Sequence, residues 1–368
     1  MQISVQSAKQ NLGIEAAPHL HAGLSTQRIM ALVLLALLPA YAVVLYFYGF
    51  AVIWQLGLCL VTGAVCEVLT ALLRGRRLKR ALCDLSYVVT AALLALTLPS
   101  LMPWHLTVVA MAFAILIVKQ CFGGLGMNIF NPAMAGFVFL IISAPGSFFT
   151  TYIAPAPAAI SVATPSRTLD VILAGDSTDQ RALVDEIKAI NVSADALSGA
   201  TFLESIKTAR KAQTVSAIPA PEFTDSAYQA YLFLAGAYLL GGVVLIACKV
   251  ILFQMPLAFL ATVAAGGALW HHLAPDASIS ALEHLLFGGT MLAAFFIITD
   301  PVTNAGTSKG RVVFSIICAL LLLLIRVEGS YSDSVAFAVL LSNAAAPLID
   351  VLTRRRPFGI GYKEGGLR

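Results

Sequence analysis

The chain has 368 residues, of which 59% are hydrophobic and only 11% are charged, and its formal net charge is +4 at pH 7. A mean hydropathy of +0.87 excludes an ordinary soluble globular protein. Apolar runs of about 20 residues are long enough to cross a bilayer as helices, so a polytopic membrane protein in contact with lipid is expected. Nothing in this charge balance indicates nucleic acid as a partner.

The chain divides into five parts. A polar N-terminal segment, 1–27, lacks the apolar core of a cleavable signal peptide. Five predicted helices occupy 28–150, a polar insert occupies 151–226, five more helices occupy 227–352, and a basic tail occupies 353–368. The ten predicted transmembrane spans are approximately 28–50, 51–73, 83–100, 104–120, 132–150, 227–247, 250–270, 284–300, 311–327 and 333–352.

Basic residues predict the orientation. Segments on one inferred side carry sixteen of them: Lys9, Arg28, Arg74, Arg76, Arg77, Lys79, Arg80, Lys119, Lys249, Lys309, Arg311, Arg354, Arg355, Arg356, Lys363 and Arg368. Short segments on the other side hold only Arg326. The positive-inside rule therefore places both termini in the cytoplasm and the insert outside.

An inverted repeat is predicted from the helix count. Five helices precede the insert and five follow it, and an odd number in each half reverses the orientation of the second half. The expected fold class is thus an all-α polytopic membrane protein with a 5+5 inverted repeat, as in many transporters. The insert is too small for a large core of its own and is expected to pack on the membrane domain or on a neighbouring subunit.

The insert contains the most specific motif of the chain, D-A-L-S-G-A-T-F-L-E, which begins at Asp195. Within it, Thr201 and Glu204 have the spacing of a capping box, which predicts the start of a helix. A hydroxyl beside the free N–H groups of a helix N-terminus is well placed to carry a phosphate. Another capping-box spacing, Ser177 to Gln180, predicts an earlier helix that extends through Ile190.

Five residues, Asp195, Ser198, Gly199, Ala200 and Thr201, match the signature D-x-x-[ST]-G-A-T. This signature resembles the sites at which FMN is joined to threonine in subunits of the Rnf electron-transport complex and of the sodium-pumping NADH:quinone reductase. The resemblance implies a covalent FMN phosphoester on Thr201, formed by a flavin transferase, with the other four residues as the recognition motif.

The N-terminal stretch A-P-H-L-H-A-G-L-S-T-Q-R-I-M, 17–30, resembles the start of Rnf D subunits, with Ala17 in place of their usual serine. The related quinone reductase B subunits generally have a longer and different N-terminal extension, and they are the first alternative. The second alternative is a non-redox channel or carrier with an inverted repeat, against which the S-G-A-T motif argues.

The resemblance implies a subunit of a translocase in the bacterial inner membrane that moves electrons between ferredoxin and NAD and couples them to Na+ or H+ transport. Its partners would be the other membrane and peripheral subunits, including the other subunit with covalent FMN, and the FMN loop would be periplasmic. The chain has no dinucleotide fingerprint and no cysteine cluster, so no catalytic residue is assigned to it.

Two polar connections are candidates for a second, non-covalent flavin such as riboflavin, which members of the same family can hold. Their glycines allow close approach of the backbone, and their polar side chains offer hydrogen bonds. The ordinary alternative is a pair of cytoplasmic turns. The candidate residues are Gly123, Gly124, Asn128 and Asn131 in the first connection, and Asp300, Thr303 and Asn304 in the second.

One acid, Glu67, lies well inside a predicted span. Burial of a charge in a membrane is costly, so Glu67 is a candidate for the ion path, with a structural hydrogen bond as the alternative. Asp84 and Asp350 lie near the interface, where solvation is the simpler account. The outer histidines have no compact ligand spacing, and no metal site is assigned.

Overall fold

The computed structural model describes residues 25–152, 155, 164–175, 178–179, 181–183, 186, 203, 226–275, 279–329 and 334–354. All regular elements in these residues are helices. They are α1 Thr26–Tyr48, α2 Ala51–Leu73, α3 Leu78–Cys83, α4 Ser86–Thr97, α5 Trp104–Ala112, a π-helical segment Phe113–Gln120, α6 Pro132–Ser143, α7 Pro145–Thr150, α8 Pro165–Ala174, α9 Ser226–Ala247, α10 Gln254–Leu273, α11 Ala281–Leu286, α12 Thr290–Leu292, a second π-helical segment Ala293–Ile297, α13 Ser308–Glu328 and α14 Ser334–Thr353.

Within the described residues, five helices are long and apolar enough to cross a membrane: α1, α2, α9, α13 and α14. Shorter apolar helices are α4, α6, and α5 together with the π-helical segment that continues it. Many large side chains on the long helices are exposed, as lipid-facing positions require. The chain is therefore an integral membrane protein whose described part is all-helical.

Two predicted spans are interrupted in the structure. The helix of the span predicted over 83–100 begins later, at Ser86: Cys83 is the last residue of α3, and Leu85, just before α4, has a left-handed backbone with φ 58°. The span predicted over 284–300 is divided into α11 and α12 by Gly288 and Gly289, whose φ angles are 65° and 69°. A left-handed residue cannot continue a right-handed helix, so each span changes direction at these residues.

The span predicted over 132–150 is also divided, into α6 and α7. Pro145 follows Ala144, and a residue before proline is disfavoured in the helical region. Ala144 accordingly has φ −136° and ψ 54°. The long helix α2, by contrast, has the bounds that its hydrophobic run predicted.

Contacts between helices follow the same scheme in the two parts of the chain that flank the insert. In the first part, α2 packs against α4 and α5, and α5 packs against α6. In the second part, α10 packs against α11 and α13, and α13 packs against α14. The two parts join where α1 packs against α9 and α6 against α14.

The described part of the insert rests on the membrane domain. Helix α8, with Pro165 in its first turn, buries Val171 and Ile172 in a cluster that includes Tyr48 of α1. The indole Nε1 of Trp54 donates to the carbonyl oxygen of Pro165 at 2.9 Å. The sequence did not predict α8, and most of the helix predicted from Ser177 lies outside the described residues.

Candidate functional site

The five residues of the FMN signature, Asp195, Ser198, Gly199, Ala200 and Thr201, lie outside the described residues. The flavin assignment to Thr201 therefore stays a prediction. Leu203, two residues further along the chain, is described and is 5% exposed. It belongs to a small apolar cluster with Tyr228, Ile279 and Phe287 of the membrane domain. This contact anchors the insert directly beside the predicted flavin position.

A cavity of about 150 Å3 lies next to Leu203 and is called the outer cavity below. Six of its lining residues are aromatic, and the others are mostly aliphatic or small. The aromatic lining residues are Tyr48, Phe137, Tyr152, Tyr231, Tyr238 and Phe287. An apolar cavity of this size accepts one benzene-sized ring. The outer cavity thus fits part of a planar aromatic ligand.

The helix break at Gly288 forms one edge of the outer cavity and depends on Arg326. The Arg326 guanidinium donates to the carbonyl oxygens of His284 at 2.8 Å and Gly288 at 3.3 Å. It also donates to the hydroxyls of Thr290 and Ser334. Gly288 has a left-handed backbone, and a Cβ there would lie 2.5 Å from Cδ1 of Leu203 and 2.8 Å from the Arg326 guanidinium, so glycine suits this close approach.

The position of Arg326 differs from the sequence interpretation. It was counted as the single basic residue of the short outer segments, yet it is buried, with 4% exposure, in the last turns of α13. Its hydrogen bonds to carbonyls at the helix break account for an arginine on this side of the molecule. Arg326 is therefore not a solvated loop cation, and the charge asymmetry of the loops is sharper than the sequence suggested.

The predicted ion-path residue, Glu67, is one partner of a buried ion pair. Glu67 is 2% exposed, and its Oε1 accepts from Nζ of Lys119 at 2.5 Å. Its Oε2 accepts from Nε2 of Gln120 at 2.8 Å. Lys119 also donates to the Ser86 hydroxyl at 2.6 Å. Lys119 was predicted to be a cytoplasmic loop cation, but it lies in the π-helical segment with its charge buried.

A cavity of about 1050 Å3 reaches this ion pair and is called the inner cavity below. Its lining is rich in polar and charged groups, among them Glu67, Thr70, Arg76, Arg77, Asp84, Lys119 and Gln120. This large polar space provides water with access towards the ion pair from the end of the molecule that carries the basic loop.

The predicted Asp84 and Asp350 are not simply solvated. Oδ1 of Asp84 accepts from the backbone N and the hydroxyl of Ser86, at 2.9 and 2.7 Å, and so caps the start of α4. The Asp350 carboxylate accepts from the backbone N–H of Gly306 and of Thr307, just before α13 begins. Both acids satisfy backbone donors where a helix begins.

The first pair of second-flavin candidates, Gly123 and Gly124, lies next to Arg76, which lines the inner cavity. Both have positive φ angles, 124° and 99°. The Arg76 guanidinium donates to the Gly123 carbonyl at 3.1 Å, and Arg74 donates to the carbonyl of Gln120. These arginines stabilise the carbonyl groups at the end of the π-helical segment.

The polar connections also meet each other, through Asn343 of α14. With its amide oriented to satisfy both atoms, Asn343 donates to the Thr303 carbonyl at 3.1 Å and accepts from the Asn131 backbone N–H at 3.0 Å. The Asn131 side chain accepts from Ala133 and Met134 and so caps α6. This contact joins Asn131 and Thr303, and the sequence did not identify Asn343.

The remaining candidates make mostly local contacts. Asp300 accepts from Val302 N at 3.1 Å and from the Thr303 hydroxyl at 3.2 Å. Asn128 donates to the Phe130 carbonyl, while the buried Oδ1 of Asn304 has no hydrogen-bond partner among the described residues. The structure thus brings Asn131 and Thr303 together, and a second flavin on the seven candidates stays a prediction.

The sequence has extensive similarity to known proteins. The sequence profile of the family described as NQR2, RnfD, RnfE matches residues 13–359. A Tolumonas auensis protein is 40% identical over 95% of this chain and 99% of its own length. Proteins of Escherichia fergusonii and Cronobacter sakazakii are 40% and 41% identical, each over 94% of this chain and 98% of its own length. All three are named as the D subunit of an ion-translocating oxidoreductase complex.

Proposed function

The chain belongs to the NQR2, RnfD, RnfE family, and we propose that it carries electrons through an FMN bound covalently to Thr201. Its relatives are named as D subunits, and the chain is a subunit of such an ion-translocating oxidoreductase complex. The relatives' names state an oxidoreductase complex that translocates ions. The cofactor, its linkage and its place in the chain are our proposal.

The position of Leu203 at the outer cavity is the observation that carries this proposal. Two residues of chain span at most about 7 Å, so a group on Thr201 lies within reach of that cavity. The outer cavity has an aromatic lining that suits one edge of the isoalloxazine ring system. Bound FMN would supply the electron-accepting chemistry, while the chain supplies its position and excludes water from one edge.

The residues around the outer cavity have distinct tasks in this proposal. Leu203 fixes the insert against Phe287, and Gly288 leaves room for Leu203 because it has no Cβ. Arg326 holds the carbonyls of the helix break and keeps that edge of the cavity in shape. The pocket is thus set by the membrane domain, and the insert supplies the attachment point.

The flavin assignment is tested on the denatured protein. The chain, produced in cells that contain the flavin transferase, should give a fluorescent band after denaturation, because only a covalent flavin survives that treatment. The tryptic peptide that begins at Ala189 should carry the mass of one FMN phosphoester on Thr201. A dark band or an unmodified peptide would favour the non-redox carrier.

The outer cavity is tested with a filling variant. We expect Ala235→Phe to make the flavin of the folded protein several-fold more accessible to iodide quenching, because Ala235 is buried and lines the cavity. Fluorescence of the denatured band should stay unchanged. Ala261→Phe, at an exposed position on α10, is the matched control. Equal quenching in all three proteins would show that the flavin lies elsewhere.

We further propose ten membrane crossings arranged as a 5+5 inverted repeat, with the FMN loop periplasmic and both termini cytoplasmic. The equivalent helix contacts on the two sides of the insert support the repeat. In each half, one crossing has a left-handed break near its start, at Leu85 before α4 and at Gly288 between α11 and α12. Broken helices near a repeat interface are a recurring feature of transporter sites.

The orientation is tested with fusions. A reporter that is active only outside the cytoplasm should be active when fused after Ala217, in the insert, because the positive-inside rule places the insert outside. The same reporter fused after Leu78, in the basic loop, should be silent. Reversed activities would overturn both the orientation and a periplasmic flavin.

We also propose that Glu67 forms part of the path of the coupled cation, Na+ or H+. The inner cavity leads to Glu67, and a carboxylate is an effective ligand for either cation. The polar connections, with Asn131 and Thr303 joined through Asn343, remain our candidates for a second flavin. The other subunits of the complex and a flavin transferase complete the proposed set of partners.

A further inference from the structure

The ion pair between Glu67 and Lys119 occupies an unusual position, because it is almost fully buried and yet lines the inner cavity. Each side chain is 3% exposed, and the cavity beside them is about 1050 Å3. A cation that enters this cavity therefore finds the Glu67 carboxylate already occupied by the Lys119 ammonium group. Any bound cation has to compete with a cation that belongs to the protein.

Glu67 is held in place independently of Lys119. Its Oε2 accepts from Nε2 of Gln120 at 2.8 Å, and Oε1 of Gln120 accepts from the Arg74 guanidinium at 3.2 Å. The carboxylate therefore keeps its position through Gln120 and Arg74 when the Lys119 ammonium leaves.

Lys119 has a second set of partners on its other side. Its ammonium group already donates to the Ser86 hydroxyl at 2.6 Å, and this hydroxyl donates to Oδ1 of Asp84 at 2.7 Å. Asp84 lies at the break between α3 and α4 and lines the same cavity. A rotation of the flexible lysine side chain thus carries its charge from one carboxylate towards another.

The backbone around Lys119 is also of a kind that is found at functional sites. Lys119 lies near the end of the π-helical segment Phe113–Gln120. π-Helical turns are frequent at the functional sites of proteins. On the opposite side of the ammonium group, Leu85 holds a left-handed conformation next to Ser86. Both walls of the lysine site therefore depart from regular α-helix.

From this geometry we propose that Lys119 is a tethered cation that occupies the Glu67 carboxylate between transport events. An arriving monovalent cation, Na+ or a proton, displaces the ammonium towards Ser86 and Asp84. The return of Lys119 to Glu67 then expels the transported cation. The proposal rests on the ion-path role proposed for Glu67 and assigns Lys119 as a positioning residue that couples release to binding.

The physical basis is charge balance in a buried site. A carboxylate and an ammonium group taken out of water together are tolerated, whereas either one alone is strongly unfavourable. Lys119 therefore leaves Glu67 readily only when another cation takes its place, and the arriving cation is lost when Lys119 returns. The net charge around Glu67 is therefore the same whether Lys119 or the transported cation is bound to it.

The test uses the purified complex in sealed vesicles. It measures the concentration of the coupled cation that gives half-maximal turnover, and the number of ions moved per electron. Sodium is titrated at fixed pH, and where sodium has no effect on turnover, pH is titrated instead. We expect Lys119→Met to lower the half-saturating cation concentration at least tenfold and to reduce the ions moved per electron. Lys79→Met, which removes an exposed lysine charge on α3, is the matched control and should behave as wild type.

A second variant keeps the charge in case Lys119→Met does not assemble. Lys119→Arg should bind the carboxylate through two nitrogens, release it less readily, and raise the half-saturating concentration several-fold. Wild-type half-saturation and wild-type ions per electron in either variant would overturn the tethered-cation proposal, even where Glu67→Gln abolishes transport. Normal transport in Glu67→Gln would instead overturn the ion-path role of Glu67.

Discussion

Thr201→Ala is expected to remove all flavin fluorescence from the denatured band while the chain still inserts into the membrane. The substitution deletes the hydroxyl oxygen that the phosphoester requires, so no partial labelling is expected at this position. Loss of a helix-capping threonine costs only about 1 kcal/mol, which the membrane domain tolerates. The measurement is in-gel fluorescence normalised to the amount of chain in each lane.

Two neighbouring variants make this result specific. Ser198→Ala removes the other hydroxyl of the S-G-A-T motif, three residues earlier, and should keep the label. Asp195→Ala should reduce labelling if its carboxylate helps the transferase recognise the segment. A fluorescent Thr201→Ala band, or an FMN mass mapped to Ser198, would contradict the assignment to Thr201.

The loss of the label should also interrupt electron flow. If the outer cavity holds the flavin, Thr201→Ala leaves Leu203 and the cavity lining in place but removes the tether. Added free FMN would then restore little activity, because binding without the tether has to recover the entropy that the covalent bond supplies. Measured turnover of the reconstituted complex, with and without added FMN, distinguishes loss of attachment from loss of the pocket.

Helix α2 illustrates how much of the fold the sequence predicts. Its apolar run ends at the first arginine of the basic loop, Arg74, and its bounds of Ala51–Leu73 were predicted correctly. The left-handed breaks at Leu85 and at Gly288 were not predicted. Gly288 and Gly289 mark one break visibly, but Leu85 is a left-handed leucine, a conformation that only the surrounding structure can impose.

The candidate site was predictable only in part, for a similar reason. An acid in an apolar span is conspicuous, so Glu67 was identified from the sequence. Its partner Lys119 is 52 residues away, at the end of another apolar run, where a basic residue normally marks a cytoplasmic loop. Arg326 was misread in the same way. The sequence shows that a charged residue is present, but packing decides whether its charged group contacts water or other groups of the protein.

The second large effect is expected from Glu67→Gln, which should reduce coupled ion transport to background in reconstituted vesicles. The substitution keeps the size of the side chain and removes the negative charge that a cation requires. Covalent flavin, measured by fluorescence of the denatured band, should remain at the wild-type level, since Thr201 lies in the insert. Transport is measured as ion uptake driven by electron transfer.

The structure adds a control to this prediction. Glu67→Gln leaves the buried Lys119 ammonium without the carboxylate that it contacts, and removal of one partner of a buried ion pair costs about 3–5 kcal/mol. A loss of transport could then reflect misfolding around Lys119. The double variant Glu67→Gln/Lys119→Met removes both charges, so it relieves that cost and still lacks the carboxylate.

We therefore expect the double variant to be at least as stable as Glu67→Gln and equally unable to move ions. Stability is compared as the thermal midpoint of the purified complex, and transport as before. Restored transport in the double variant would mean that Glu67 serves only to neutralise Lys119. A shared loss of transport, with flavin retained in both proteins, would leave the carboxylate itself as the group that the moving cation needs.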